Sequence, residues 1–75
     1  MDFESFIKGL SQNVLMDTPI ELLGKQTEYM ELEDWTSMTA FTLISWIEST
    51  FGKKLFLPEL LNAQTLEDLF NIVNN

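Results

Sequence analysis

TSMTAFTLISWIESTFG, residues 36–52, carries the clearest helical pattern in the chain. Advancing about 100° per residue places Ala40, Leu43, Ile44, Ile47 and Phe51 on one side, which predicts a helix over 36–51 with that side against a core. The opposite side carries Met38, Thr39, Thr42, Ser45, Trp46 and Ser49. Gly52 stands where a left-handed residue ends a helix, and Lys53 and Lys54 follow where positive charge suits the negative end of the helix dipole. At the other end, Thr36 is placed to cap through its own hydroxyl, which leaves Ser37 at the first helical position with its hydroxyl free. An anion joined to Ser37 would lie beside unpaired backbone N–H groups.

Upstream, Phe3, Phe6, Ile7, Leu10 and Val14 recur at three-and-four spacing and predict a helix from Phe3 to Val14, with Asp2 as its N-cap. Gly9 inside that helix costs about 1 kcal/mol relative to Ala. Thr18-Pro19-Ile20-Glu21 reads as a capping box with Pro at the first helical position, and Gly24 as the left-handed end of about one turn. Gln26 to Asp34 reads as an acidic loop anchored by Tyr29, Met30 and Leu32. Downstream, Pro58 predicts the start of a short third helix, and Thr65-x-x-Asp68 opens a last one striped with Leu66, Leu69, Phe70 and Val73. No segment alternates with the period of a half-buried strand. The expected fold is all-α, three main helices plus a short third one, in a single domain over residues 1–75.

Composition narrows the function. Seventy-five residues support one small core, and 45% hydrophobic residues, with six Phe and two Trp, suffice to build it without staples. Cysteine and histidine are both absent, which removes disulfides, thiolate nucleophiles, the commonest general base and the commonest metal ligand. The expectation is therefore a protein that is neither an enzyme nor a metal binder. No apolar run reaches the roughly 20 residues that span a bilayer, and Asp2 and Glu4 stand where a signal peptide is basic, so a soluble, cytoplasmic chain is expected. Twelve acidic residues against four lysines give a net charge of -8, concentrated in Glu28, Glu31, Glu33, Asp34 and Glu48. Such a field excludes nucleic acid as a partner and favours basic patches on other proteins.

With Leu32-Glu33-Asp34-Trp35-Thr36-Ser37-Met38 in view, the sequence resembles the acyl carrier protein family, which opens its second helix with Asp-Ser-Leu or Asp-Ser-Met. Ser37-Met38 matches the last two positions. The likeness extends through Thr39-Ala40-Phe41-Thr42-Leu43-Ile44, Glu48-Ser49-Thr50-Phe51-Gly52, Pro58 and Thr65-Leu66-Glu67-Asp68-Leu69. It implies a four-helix carrier fold and a covalent 4′-phosphopantetheine arm on Ser37. A phosphopantetheinyl transferase would install the arm, and its thiol would bear acyl or aminoacyl cargo as a thioester for loading, condensing or modifying enzymes. A monomer is the expectation. The motif's aspartate is Thr36 here, a weaker cap without charge, and Asp34 is its stand-in if the loop turns it inward.

The outward face of this helix and its surroundings carry expected roles as well. Met38, Thr42 and Trp46 form a ridge at i, i+4 and i+8, so recognition is expected through apolar contact there, with Asp34, Thr36 and Glu48 contributing. The competing reading covers Trp46 with the preceding loop and leaves it as core. Phe41, Ile44, Ile47 and Leu61 are the residues expected to line an acyl pocket, whereas Phe3, Phe6, Phe51 and Phe70 read as ordinary core. Two further readings stand beside the carrier: a carrier-like fold that is never modified and serves as a binding partner, and an unrelated acidic helical module that mimics nucleic acid.

Overall fold

The computed structural model describes residues 1–75 and holds four α-helices and no strand: α1 (Phe3–Asn13), α2 (Ser37–Phe51), α3 (Leu57–Asn62) and α4 (Leu66–Asn74). Two 3₁₀ turns, Ile20–Leu22 and Tyr29–Glu31, punctuate the connection between α1 and α2. The all-α architecture expected from the sequence is the one found, and no helix is long and apolar enough to cross a membrane.

Each helix begins where a side-chain acceptor takes a backbone N–H at its start. The Asp2 carboxylate accepts from the Ser5 N–H at 2.8 Å to start α1. Glu59 reaches back to the Phe56 N–H at 3.0 Å for α3, in which Pro58 is the second residue. In α4 the reciprocal box is complete. Thr65 Oγ1 accepts from the Asp68 N–H at 3.2 Å, and Asp68 accepts from the Thr65 and Gln64 N–H groups, both at 3.1 Å. α2 ends at Gly52, whose φ of 70° suits a residue without Cβ.

The faces that pack follow the sequence periodicity. Phe6, Ile7 and Leu10 of α1, Ala40, Leu43 and Ile47 of α2, Leu60 of α3, and Leu66, Leu69 and Val73 of α4 all belong to one buried cluster. Phe6 sits at its centre, with the rings of Trp46, Phe51 and Phe70 at 6.0, 6.1 and 5.6 Å, and Phe3 closes the edge against Phe70 at 5.5 Å. Burying side chains of this size contributes about 1.5–3 kcal/mol each, so these aromatics dominate the packing. Ile44, Phe51 and Phe70 are only half-buried, at the margin of the cluster.

The α1–α2 connection departs from its sequence reading in three places. The turn at Ile20–Leu22 has no side-chain cap, because the buried Thr18 gives its hydroxyl to Asp34 Oδ2 at 3.4 Å instead. Pro19 is the residue before the turn, not its first. Gly24 is not left-handed; the turn closes on Leu23, and the Thr27 hydroxyl stitches the next bend by accepting from the Gly24 N–H at 2.8 Å and donating to the Leu22 carbonyl at 2.6 Å.

The second turn, Tyr29–Glu31, is formed by a contact distant in sequence. Tyr29 is fully buried, its ring meets Trp35 edge-on at 5.3 Å, and its hydroxyl donates to the Leu60 carbonyl at 2.6 Å with the Ala63 carbonyl at 3.3 Å. Burial, and secondarily the negative charge of Asp68, raises the pKa of that phenol far above its ordinary value of 10.0. Two backbone bonds complete the seam: the Leu66 N–H donates to the Thr27 carbonyl at 2.9 Å and the Glu67 N–H to the Lys25 carbonyl at 3.1 Å. The loop that leads to Ser37 is thus fastened to the junction of α3 and α4.

Candidate functional site

Ser37 opens α2 and is exposed. Its orientation follows from the two threonines around it. Thr36 has extended backbone and caps the helix, its hydroxyl accepting from the Thr39 N–H at 3.2 Å, while Thr39 Oγ1 accepts from the Thr36 N–H at 3.1 Å. Thr39 also donates to the Asp34 carbonyl at 3.0 Å, so one hydroxyl joins the loop, the cap and the first turn. These bonds take up the N–H of Thr39, and the Ala40 N–H goes to the Thr36 carbonyl at 3.2 Å. The N–H groups of Ser37 and Met38, and the Ser37 hydroxyl, have no partner within the chain. No acidic residue lies in the first turn of α2. An anionic group on Ser37 would meet two free donors and the positive end of the helix dipole, with no carboxylate in that turn to repel it.

Asp34 has a different task from the one its position suggested. Its carboxylate accepts from the Asp17 N–H at 3.2 Å and from the Thr18 hydroxyl, so it faces the α1–α2 connection and ties that loop to the approach of Ser37. The Thr36–Thr39 pair supplies the capping that the carboxylate would otherwise give. Thr39 was read from sequence only as a small hydroxyl on the outer face; a threonine three residues after a threonine cap is the signal that marks it. Around Asp34, the residues Asp17, Glu31 and Glu33 join it in lining an acidic cleft. No three ligating side chains in the molecule gather closely enough to hold a metal ion.

The outer ridge of α2 is brought together as a groove. Met38, Thr42 and Trp46 line it with Phe41, Ser45 and Asn13 of α1. Met38 is 74% exposed and Phe41 59%, whereas Trp46 is half-buried. The cover over Trp46 is α1 itself, not the preceding loop. A Cβ at Gly9 would lie 2.5 Å from Trp46 Cζ2, so the glycine is the notch that admits the indole between Phe6 and, at 5.2 Å, Phe51. A glycine in the middle of an otherwise strongly amphipathic helix was the sequence signal for this close approach. Glu48 is exposed farther along α2.

Phe41, Ile44, Ile47 and Leu61 do not line a common cavity. Phe41 and Leu61 are 59% and 54% exposed, while Ile47 is sealed in the core. The physical reason is angular: Phe41 lies on the far side of α2 from Leu43 and Ile47, and α3 is a short helix that buries Leu60 and turns Leu61 outward.

A small helical bundle that offers one serine hydroxyl at an open helix start has the architecture of a carrier domain, which bears its working group covalently. The family model described as phosphopantetheine attachment site matches residues 6–73, and the chain belongs to that family. Domains of this family are non-catalytic carriers of a covalently attached 4′-phosphopantetheine. No curated protein and no solved structure matches the chain.

Proposed function

We propose that Ser37 is the attachment residue and that the chain carries acyl or aminoacyl intermediates to partner enzymes without catalysing their chemistry. The single observation that supports this most is the exposed Ser37 hydroxyl beside the free N–H groups of Ser37 and Met38. In the modification, Ser37 Oγ forms a bond to the pantetheine-bearing phosphorus of coenzyme A as the pyrophosphate P–O bond breaks, and adenosine 3′,5′-bisphosphate leaves. The Oγ proton passes to a base of the phosphopantetheinyl transferase, because no histidine exists in this chain to take it. The bound arm supplies a terminal thiol for thioester cargo, and tethering raises the cargo's effective concentration at each partner. In this reading Glu28, Glu31, Glu33 and Asp34 steer the carrier toward basic patches, and Met38, Thr42 and Trp46 give apolar contact on docking.

Incubation with coenzyme A and a broad-specificity transferase, followed by intact mass, tests the proposal. The expected result is a gain of one phosphopantetheine that Ser37→Ala abolishes. The uncharged cap favours a second reading, an unmodified binding module, since Thr36 stands where the resembled motif has a carboxylate and Asp34 is committed elsewhere. Failure of several transferases to modify the folded protein would establish that second reading over the first.

A further inference from the structure

We propose that the groove along the outer face of α2 shelters the neutral part of the arm and a short acyl cargo, so that this carrier protects its thioester at the surface instead of in the core. The inference rests on attachment at Ser37. The groove, of about 420 Å³ and open to solvent, is lined by Met38, Phe41 and Trp46 together with Thr42, Ser45 and Asn13. All six are uncharged in a protein of net charge -8, a composition that suits an occupant without charge of its own.

Its position fits an occupant anchored at Ser37. Met38 is the next residue, Phe41 lies one turn below Ser37 on the same side, and Trp46 follows about 13 Å along the helix axis at 1.5 Å per residue. The lining also has the chemistry of the arm. Thr42 gives its hydroxyl to the Met38 carbonyl at 3.0 Å, which frees its methyl for apolar contact. Asn13 donates to the Gly9 carbonyl at 2.9 Å and keeps its side-chain oxygen as an acceptor for an amide N–H, and the Ser45 hydroxyl stands exposed at the far end beside Trp46. Trp46 cannot retreat from the groove, because α1 and Phe51 hold its other face. Inward, Ala40, Leu43 and Ile47 are closed against the core, so the outer face is the apolar surface within reach. A partner docking on this face displaces the cargo toward its own active site.

The test uses the full chain carrying the arm alone and carrying a butanoyl thioester, both made with a broad-specificity transferase from coenzyme A and butanoyl coenzyme A. Comparing their side-chain NMR spectra, the expected shifts fall on Met38, Phe41 and the Trp46 indole. The Phe41→Gln variant, which leaves the Met38–Thr42–Trp46 docking ridge intact, is expected to lose its thioester to hydroxylamine about fivefold faster, because water reaches the bond, at an unchanged melting temperature. Shifts at Leu43, Ile47 and Leu60, or identical spectra for the two forms, overturn the surface shelter while leaving attachment intact. Absence of any mass gain removes the arm, and the proposal with it.

Discussion

α2 and α4 start with the same local device and end up with opposite accessibility. Each has a threonine cap whose hydroxyl accepts from the third helical N–H, and each cap donates its own backbone N–H back to the side chain of that third residue. At α4 the remaining first-turn donors, the Leu66 and Glu67 N–H groups, are taken by the carbonyls of Thr27 and Lys25. At α2 the equivalent donors of Ser37 and Met38 stay open. The reciprocal partner differs as well: a carboxylate, Asp68, at α4 and a hydroxyl, Thr39, at α2. A capping box therefore starts a helix without deciding whether its end is a binding site. That is decided by what the rest of the chain lays over it.

Four perturbations separate the two ends. The largest effect is expected at the seam that closes α4. Tyr29→Phe leaves the buried Leu60 and Ala63 carbonyls without their donor and should cost about 2 kcal/mol in urea unfolding. The same variant removes an alkaline liability. The Tyr29 pKa is raised in the fold, so its contribution is complete below pH 10.0 and declines as pH rises beyond that value. Melting temperatures followed upward from pH 9 should fall for the parent and stay flatter for Tyr29→Phe.

Next comes the support beneath α2. Gly9→Ala gains about 1 kcal/mol of helix propensity but drives its methyl against Trp46, and the clash should win by about 1 kcal/mol net. Gly24→Ala meets only Thr27 Oγ1 at 3.9 Å and serves as the neutral control. Thermal melts of the two variants check the difference.

Removing the caps gives a comparable and more even effect. Thr36→Ala and Thr65→Ala should each cost about 1 kcal/mol, and only Thr36→Ala should slow the gain of phosphopantetheine mass. Equal rates of modification in the two variants would show that the α2 cap does not present Ser37.

The smallest effect is the acid response. Asp2 and Asp68 are held below the ordinary carboxylate value of 3.8, Asp2 by bonds from Ser5 and Asp68 by the N–H groups of Thr65 and Gln64. Because these folded-state pKa values are lowered, their stabilisation is present above pH 3.8 and is lost as pH falls through the folded values. Amide exchange on acidification should loosen the first turns of α1 and α4 before that of α2, whose cap has nothing to protonate.

The sequence made the three longer helices legible because their determinants are local: three-and-four spacing of apolar residues, and caps such as Asp2, Thr36 and Thr65 a few residues from what they bind. The place of Ser37 at the exposed start of α2 was legible for the same reason. Thr18 was misread because a distant acceptor, Asp34, outcompeted the local pattern of Thr-Pro-Ile-Glu. The turn at Tyr29 was invisible because its cause lies some thirty residues away, at Leu60 and Ala63. Phe41 and Leu61 were assigned to a pocket on the family resemblance and their apolar character. Their exposure depends on which faces α1 and α3 cover, and helical spacing does not report that.

The most direct measurement is peptide mapping of the modified protein by tandem mass spectrometry. The expected result is the phosphopantetheine mass on Ser37 alone, with Ser5, Ser11, Ser45 and Ser49 unmodified. A modified protein whose added mass maps to any of those four serines would contradict the claim that the open start of α2 is the attachment site.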